Sequence, residues 1–232
     1  MKKIIKQKID ELEYLTIKLR KKIIENSNLN KIPHLGSCLS CIDILVVLYF
    51  NQLNISKEIL NDEDRDRFIL SKGHGAPALL QVLAEKEFFK KSDLDTFGEN
   101  GSFFHEHPPK PGLIPGIEAA TGSLGHGMPM GVGIALAAKI KKLDYKTYIL
   151  LSDGECNEGT IWEAALFASS NKLDNLICII DYNKWQATGR SNEIMALEDL
   201  SKKWEAFNWH TQRINGHNLN EIYKGIQAAK DF

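Results

Sequence analysis

Thr147-Tyr148-Ile149-Leu150-Leu151-Ser152-Asp153-Gly154-Glu155 decides how this chain is read. Its first five residues are β-branched, aromatic or aliphatic, as a buried strand requires, and the strand ends in an acidic turn bearing a glycine. A helical segment, Thr160 to Asn171, separates it from a second strand-like run, Leu176 to Ile180, which leads into Asp181-Tyr182-Asn183-Lys184-Trp185. Strand, helix, strand predicts two parallel neighbours joined by a crossover. Asp153 and Asn183 then emerge together at the carboxyl edge of the sheet, where open α/β sheets bind their ligands.

Working outward, the first thirty residues mix Lys and Glu with Ile5, Ile9, Leu12, Leu15, Leu19 and Ile23. Spacings of three and four place this apolar set on one face of a helix, about 3–28, that docks on the body. Asn26 to Asn30 with Pro33 ends it. Ser40 is expected to cap the next helix, in which Ile42, Leu45, Val46 and Tyr49 face inward. Residues 62–66 form an acidic turn before the short run Phe68-Ile69-Leu70. Lys91 to Gly127 is crowded with Gly, Pro and His, and so long an irregular stretch inside a domain signals function. A helix is expected from about Met128 to Lys142, a third strand over Trp209 to Ile214, and a last helix from Asn218 to about Lys230. The fold class is therefore α/β: a three-layer α/β/α arrangement with a mainly parallel sheet, residues 1–232 forming one domain.

The 232 residues carry 29 Lys and Arg against 30 Asp and Glu, and 43% are hydrophobic, an ordinary globular composition that excludes intrinsic disorder. A balanced charge argues against nucleic-acid binding, which needs clustered cations facing phosphates. The apolar run Ile44 to Phe50 falls short of the roughly 20 residues that span a bilayer. Lys6, Lys8, Asp10 and Glu11 interrupt what would be a signal peptide's apolar core, so a cytoplasmic protein without a membrane partner is expected. Cys38-Leu39-Ser40-Cys41 has redox or zinc spacing, but nothing in the chain completes a four-ligand zinc set, and buried small hydrophobes are the preferred reading. A His105/His107 zinc pair also lacks further ligands.

An Asp, an Asn and loop carbonyls are hard oxygen donors, suited to Mg²⁺ or Ca²⁺ and poor for zinc or copper. One carboxylate leaves such an ion partly uncompensated and able to hold an anion. Gly154 lets the backbone approach closely, and the following helix turns its first N–H groups toward that anion. This describes a Mg²⁺–diphosphate site, although the same residues could sit in an ordinary surface turn, and spacing alone does not choose. Leu70-Ser71-Lys72-Gly73-His74-Gly75 and Thr121-Gly122-Ser123-Leu124-Gly125-His126-Gly127 are further glycine-rich turns. His34, His74 and His107 lie in three separate irregular segments; if they converge, they can donate hydrogen bonds to oxyanions.

Together these segments resemble the thiamine-diphosphate-binding, amino-terminal half of transketolase. The matching pieces are Pro33-His34-Leu35-Gly36-Ser37, Leu70 to Gly75, His107-Pro108, Pro115-Gly116-Ile117-Glu118, Gly122 to Gly127, and Asp153-Gly154-Glu155 through Asn183. They cover nearly the whole chain and point to the split form, in which two chains share the work. The resemblance implies the thiamin diphosphate-binding fold (PP domain). It also implies Mg²⁺ (with Ca²⁺ as a substitute) on Asp153, Asn183 and the Trp185 carbonyl, with Gly154, Glu155 and Asn183 near the diphosphate. Gly122, Ser123 and Leu124 would meet the cofactor rings, and His74 would lie between diphosphate and substrate. His34, His74 and His107 would be catalytic in transferring a two-carbon ketol unit from a ketose or ketose phosphate to an aldose. Glu158 and Glu163 match acidic positions where the family's protomers touch. A C-terminal transketolase subunit would complete the site in an α2β2 assembly.

Departures are Ser152 for the first glycine of Gly-Asp-Gly, Glu106-His107-Pro108-Pro109 for Gly-His-Pro-acidic, and a chain that stops at Phe232, before a further strand and histidine-bearing loop of the family. A shortened subunit, or a variant with a different acceptor, is the expectation from that. The alternatives are the cofactor half of a 1-deoxyxylulose-5-phosphate synthase or a 2-oxo-acid dehydrogenase E1 component, or a non-catalytic scaffold.

Overall fold

A computed structural model of the chain describes residues 2–232, with side chains from Gln7 onward, so Ile5 of the amphipathic stripe lies outside the described side chains. The expected β-then-α alternation is present. β1 (Arg67–Leu70), β2 (Thr147–Ser152) and β3 (Leu176–Asp181) form a parallel sheet in the order β1-β2-β3. The register sets Leu70 beside Leu150 and Ser152 beside Asp181.

Alternation along the strands divides the core in two, because successive side chains point to opposite faces. Phe68, Leu70, Tyr148, Leu150 and Ile177 join one apolar cluster with α1 (Lys2–Asn30), α2 (Leu35–Val47), α3 (Ala76–Glu85) and α8 (Leu219–Asp231). Ile69, Ile149, Leu151 and Leu176 join the other, with α4 (Gly127–Lys141), α5 (Gly159–Ser170) and Trp204 of α7 (Leu200–Ala206). Helices on both faces of a parallel sheet explain why every residue of β2 is buried. The three-layer expectation holds. Leu12, Leu19 and Ile23 of α1 are buried as the stripe predicts, and Asn218 caps α8 by accepting from Asn220 and Glu221.

Three expectations need correction. Helix α2 starts at Leu35 rather than at Ser40, with His34 at the N-cap position in the left-handed region (φ 64°) and no side-chain cap. The Cys38 N–H closes the first turn on the His34 carbonyl at 3.2 Å, and the Ser40 hydroxyl donates to Asp181 instead. Trp209 to Ile214 is not a strand. The Trp209 N–H closes the end of α7 by bonding Trp204, its indole bonds the Ala165 carbonyl, and Asn208 before it is left-handed, so this backbone is spent on capping. The apolar segment around Ile44 to Phe50 is also longer than that run suggests. Leu35–Gln52 meets the length and composition of a membrane span, yet 61% of it is buried inside this fold. It continues α2 through a π-helical turn, Leu48–Gln52.

The segment after β3 holds elements that no periodicity signalled: a small antiparallel hairpin of β4 (Trp185–Gln186) and β5 (Gly189–Arg190), and the short helix α6 (Ser191–Ile194).

Leu45→Ala, at a fully buried position of α2, is expected to cost roughly 2–5 kcal/mol in denaturant unfolding, against no more than about 0.5 for Ile140→Ala on the exposed face of α4.

Candidate active site

Because β2 and β3 run in parallel and end in register at Ser152 and Asp181, the turns that follow them meet. Asp153 is fully buried at the start of a 3₁₀ turn, Gly154–Asn157. One of its carboxylate oxygens accepts from the Gly154 N–H at 2.9 Å. The other accepts from the Lys184 N–H at 3.0 Å and the Ser191 hydroxyl at 2.7 Å. Its partner loop therefore starts next to Asn183, as the sequence predicts. Asn183 Oδ1 accepts from the Trp185 N–H at 2.8 Å, a tight turn helped by left-handed Lys184 (φ 66°). The Arg190 guanidinium stacks on the exposed Trp185 ring at 4.5 Å.

Burial pushes the Asp153 carboxyl up, while its three hydrogen-bond donors work the other way. No cationic side chain pairs with it among the described residues, so a buried acid is served by neutral dipoles alone. Among the described residues no group of three or more His, Cys, Asp or Glu could hold a metal. The expected set of one carboxylate, one amide oxygen and one main-chain carbonyl is of a different kind. Its hard oxygens on adjoining turns suit a hexacoordinate dication that also keeps water or phosphate oxygens.

Glycines let the second and third turns pack against each other. A Cβ on Gly73 would lie 2.6 Å from the backbone of Thr121 and Gly122, and one on Gly122 (φ 149°) would lie 2.7 Å from the His107 ring. Gly122 is thus the point where the 121–127 turn and the His107 loop touch, and no larger residue fits there. Beside it Ser123 and Leu124 are exposed and free to meet a ligand.

Glu155, expected beside a diphosphate, is turned inward. Its carboxylate accepts from the Ser71 hydroxyl, from the Gly125 N–H at 3.1 Å, and from the Ser152 N–H at 2.8 Å. It fastens all three turns from beneath, and burial raises its pKa against those hydrogen bonds. Ser152, the departure from Gly-Asp-Gly, ends β2 in strand geometry and also offers its hydroxyl to Glu155 at 3.3 Å.

The three histidines converge. The ring centroids of His34 and His74 are 5.4 Å apart, and those of His34 and His107 are 6.3 Å apart. His34 and His107 are exposed, whereas His74 is half-buried. Burial, then the nearby Lys72 ammonium and the other two imidazoles, push the His74 pKa down to about 4. A cavity of about 330 Å³ opens against His107, bordered by Asn30, Phe97, His105 and Glu106. The cysteine pair packs and forms no disulfide. Cys38 and Cys41 are buried free thiols, pushed up by burial to about 11 and about 12. That bears out the packing role.

The sequence reading missed Lys72, Asp181 and Ser40. Lys72 is fully buried and pairs with Asp181. A lysine on a strand end looks solvated in a linear pattern, and only its place next to Gly73-His74 and the acid at the end of β3 hinted otherwise.

Known proteins resemble this chain in sequence and fold. Residues 16–232 match a family described as transketolase, thiamine diphosphate binding domain. The chain is 42% identical over 220 residues to one chain of an apulose-4-phosphate transketolase from Phocaeicola vulgatus, covering 95% of this chain and 78% of that protein. It is also 42% identical to the 6-deoxy-6-sulfo-D-fructose transketolase subunit SqwG of a Clostridium species, covering 97% of this chain and 81% of the relative. Among solved structures it superimposes on a transketolase from Campylobacter jejuni with a TM-score of 0.89 at 31% identity. That match covers 95% of this chain and 36% of the solved one, so this chain spans about a third of that larger protein.

His74 titration checks the electrostatics of the cluster. Its ring should stay neutral at pH 6 and protonate only near pH 4, read from ring resonances. The unfolded ring, with the ordinary value of 6.5, binds its proton earlier. Between those two values the unfolded state holds more protons, so this group's contribution makes stability fall as the pH drops through that window. Glu155→Gln is expected to cost roughly 1–3 kcal/mol, because its amide would confront backbone donors in a buried site.

Proposed function

The chain belongs to the transketolase family, as its thiamine diphosphate binding domain, and from that premise we propose that it is the cofactor-binding subunit of a two-chain transketolase. It would transfer a two-carbon ketol unit from a ketose, phosphorylated or otherwise acid-bearing, to an aldose acceptor. The relatives named for apulose 4-phosphate and for 6-deoxy-6-sulfo-D-fructose support a polyol substrate with an anionic end. What carries the reading is the meeting of the buried Asp153 carboxylate with the loop of Asn183, beside three converging histidines.

In this reading Asp153, Asn183 and the Trp185 carbonyl hold Mg²⁺, for which Ca²⁺ could substitute. The Gly154 turn and Asn183 face the diphosphate, and Glu155 keeps that turn in shape from beneath. Gly122, Ser123 and Leu124 border the rings, Leu124 through its exposed side chain. Thiamine diphosphate supplies, when bound, a carbon nucleophile and an electron sink for cleaving the bond next to a ketose carbonyl. The protein's task is to fix that reagent against the substrate and to manage oxyanions and protons. His74, kept neutral by burial and by Lys72, donates an N–H hydrogen bond to an oxygen that gains charge without adding a cation of its own. His34 and His107, both exposed and with ring centroids 6.3 Å apart, would donate to the substrate carbonyl oxygen and hydroxyls and carry protons between them.

A partner chain is part of the proposal, supported by relatives that are themselves named as single subunits of their transketolases. Trp185, Ile194 and Met195 are exposed apolar residues of the segment that follows Asn183, and Leu166 and Phe167 are exposed on α5, three and four residues after Glu163. Surfaces of this kind suit protein contact. We assign the first to the C-terminal transketolase subunit. The second, with Glu158 and Glu163, would serve the pairing of two such half-sites into α2β2. A cytoplasmic location goes with the same reading.

Mg²⁺ with thiamine diphosphate should raise the melting temperature of the wild-type chain with its partner, by an amount equivalent to about 2.7 kcal/mol at a hundredfold excess over Kd. Asp153→Ala should fold and lose that protection. Equal protection in the variant would overturn the site. His34→Ala and His107→Ala should keep the protection and lose about 10²-fold or more in ketol transfer.

A further inference from the structure

We propose that Lys72 is a positioning residue of this site: its buried ammonium, paired with Asp181, fixes the turn bearing His74 and the helix start bearing His34 to the strand end that leads into Asn183. The Lys72 side chain is fully buried. Its Nζ donates to one carboxylate oxygen of Asp181 and, at 3.2 Å, to the Ser37 carbonyl in the first turn of α2. The other Asp181 oxygen accepts from the Ser40 hydroxyl at 2.6 Å, one turn further along the same helix. The Lys72 backbone N–H bonds Leu150 of β2 at 3.1 Å. One ammonium thus ties together β1, α2 and β3, and each of them delivers a different part of the site: His74, His34 and Asn183.

Stability does not call for this arrangement. Burying two charges costs several kcal/mol of hydration before their attraction is counted, and apolar side chains of similar volume often serve stability as well or better. What apolar contact lacks is direction. The ammonium and carboxylate each have defined hydrogen-bond partners on different segments, so they set the distance and orientation between those segments. The demand is real here, because His34 sits in left-handed backbone with no side-chain cap to steady it. The Cys38 thiol adds one weak bond to the His74 carbonyl at 3.8 Å. Lys72 also faces the His74 imidazole together with His34, His107 and Asp181, and its positive charge disfavours protonation there.

The catalytic meaning of this role rests on the transketolase reading, so the test has one arm that does not. In the unliganded chain, magnetisation transfer between ring protons of His34 and His74, whose centroids are 5.4 Å apart, reports their positioning directly. Lys72→Met alone leaves Asp181 charged and buried, so the deciding variant is the double Lys72→Met/Asp181→Leu. It should melt within a few degrees of wild type, weaken or lose that ring-to-ring transfer, and, with the partner chain, lower kcat about tenfold or more while donor KM changes less than about threefold. A folded double variant with unchanged ring contact and unchanged kcat overturns the proposal. If the double variant does not fold, Ser40→Ala cuts the same network at its outer bond with both charges still paired, and the same two readouts decide. Wild type that transfers no ketol unit with its partner would refute the transketolase reading, while the ring-contact comparison still decides what Lys72 does.

Discussion

The parallel ladder between β2 and β3 is the constraint on which everything else depends. Its last rung pairs Ser152 with Asp181, so the next residues of both strands leave the sheet at the same edge. Asp153 can then accept from the N–H that follows Asn183. Slip that register by one residue and the inward and outward faces of β3 would exchange. Leu176 and Ile177 would each meet the helical layer shaped for the other, and Asp181 would swing away from Lys72. The core and the site are therefore specified by one alignment. The apolar alternation that holds Ile177 on the α2 side also holds the Asn183 turn in place.

Beneath the turns, two buried acids divide the work of holding them. Glu155 binds the Ser71, Gly125 and Ser152 segments, and Asp181 binds Lys72 and the start of α2. Each carboxylate is fully engaged by protein donors. Asp153 differs from Asp181 in meeting only neutral donors, and from Glu155 in taking two of its three hydrogen bonds from the segment after β3, at the Lys184 N–H and the Ser191 hydroxyl. Glu155 and Asp181 thus bind the turns to the body of the fold, and Asp153 binds the loops after β2 and β3 to each other.

Much of this could be read from the sequence because strands and turn residues are local signals. β1, β2, β3, α4, α5 and α8 lie where the periodicity puts them, and Asp153 and Asn183 stand at the strand ends because thirty residues suit a loop, a helix and a return. Convergence of His34, His74 and His107 was a matter of three irregular segments, which no period describes; the family resemblance supplied it. What stayed hidden is tertiary. Lys72 and Asp181 are 109 residues apart, and each alone reads as an exposed charge. The true start of α2 was obscured because no capping side chain marks it. Trp209 to Ile214 has residues that suit a strand, but its first N–H and its indole are taken by α7 and α5, which a linear reading does not register.

Mn²⁺ in place of Mg²⁺ gives the most direct access to the central claim, that Asp153 and the Asn183 loop hold one dication against a diphosphate. Pulsed electron paramagnetic resonance on the chain with Mn²⁺ and thiamine diphosphate should show one bound ion with strong coupling to phosphorus, lost in Asn183→Ala. Bound Mn²⁺ without phosphorus coupling, or coupling that survives Asn183→Ala unchanged, would contradict it.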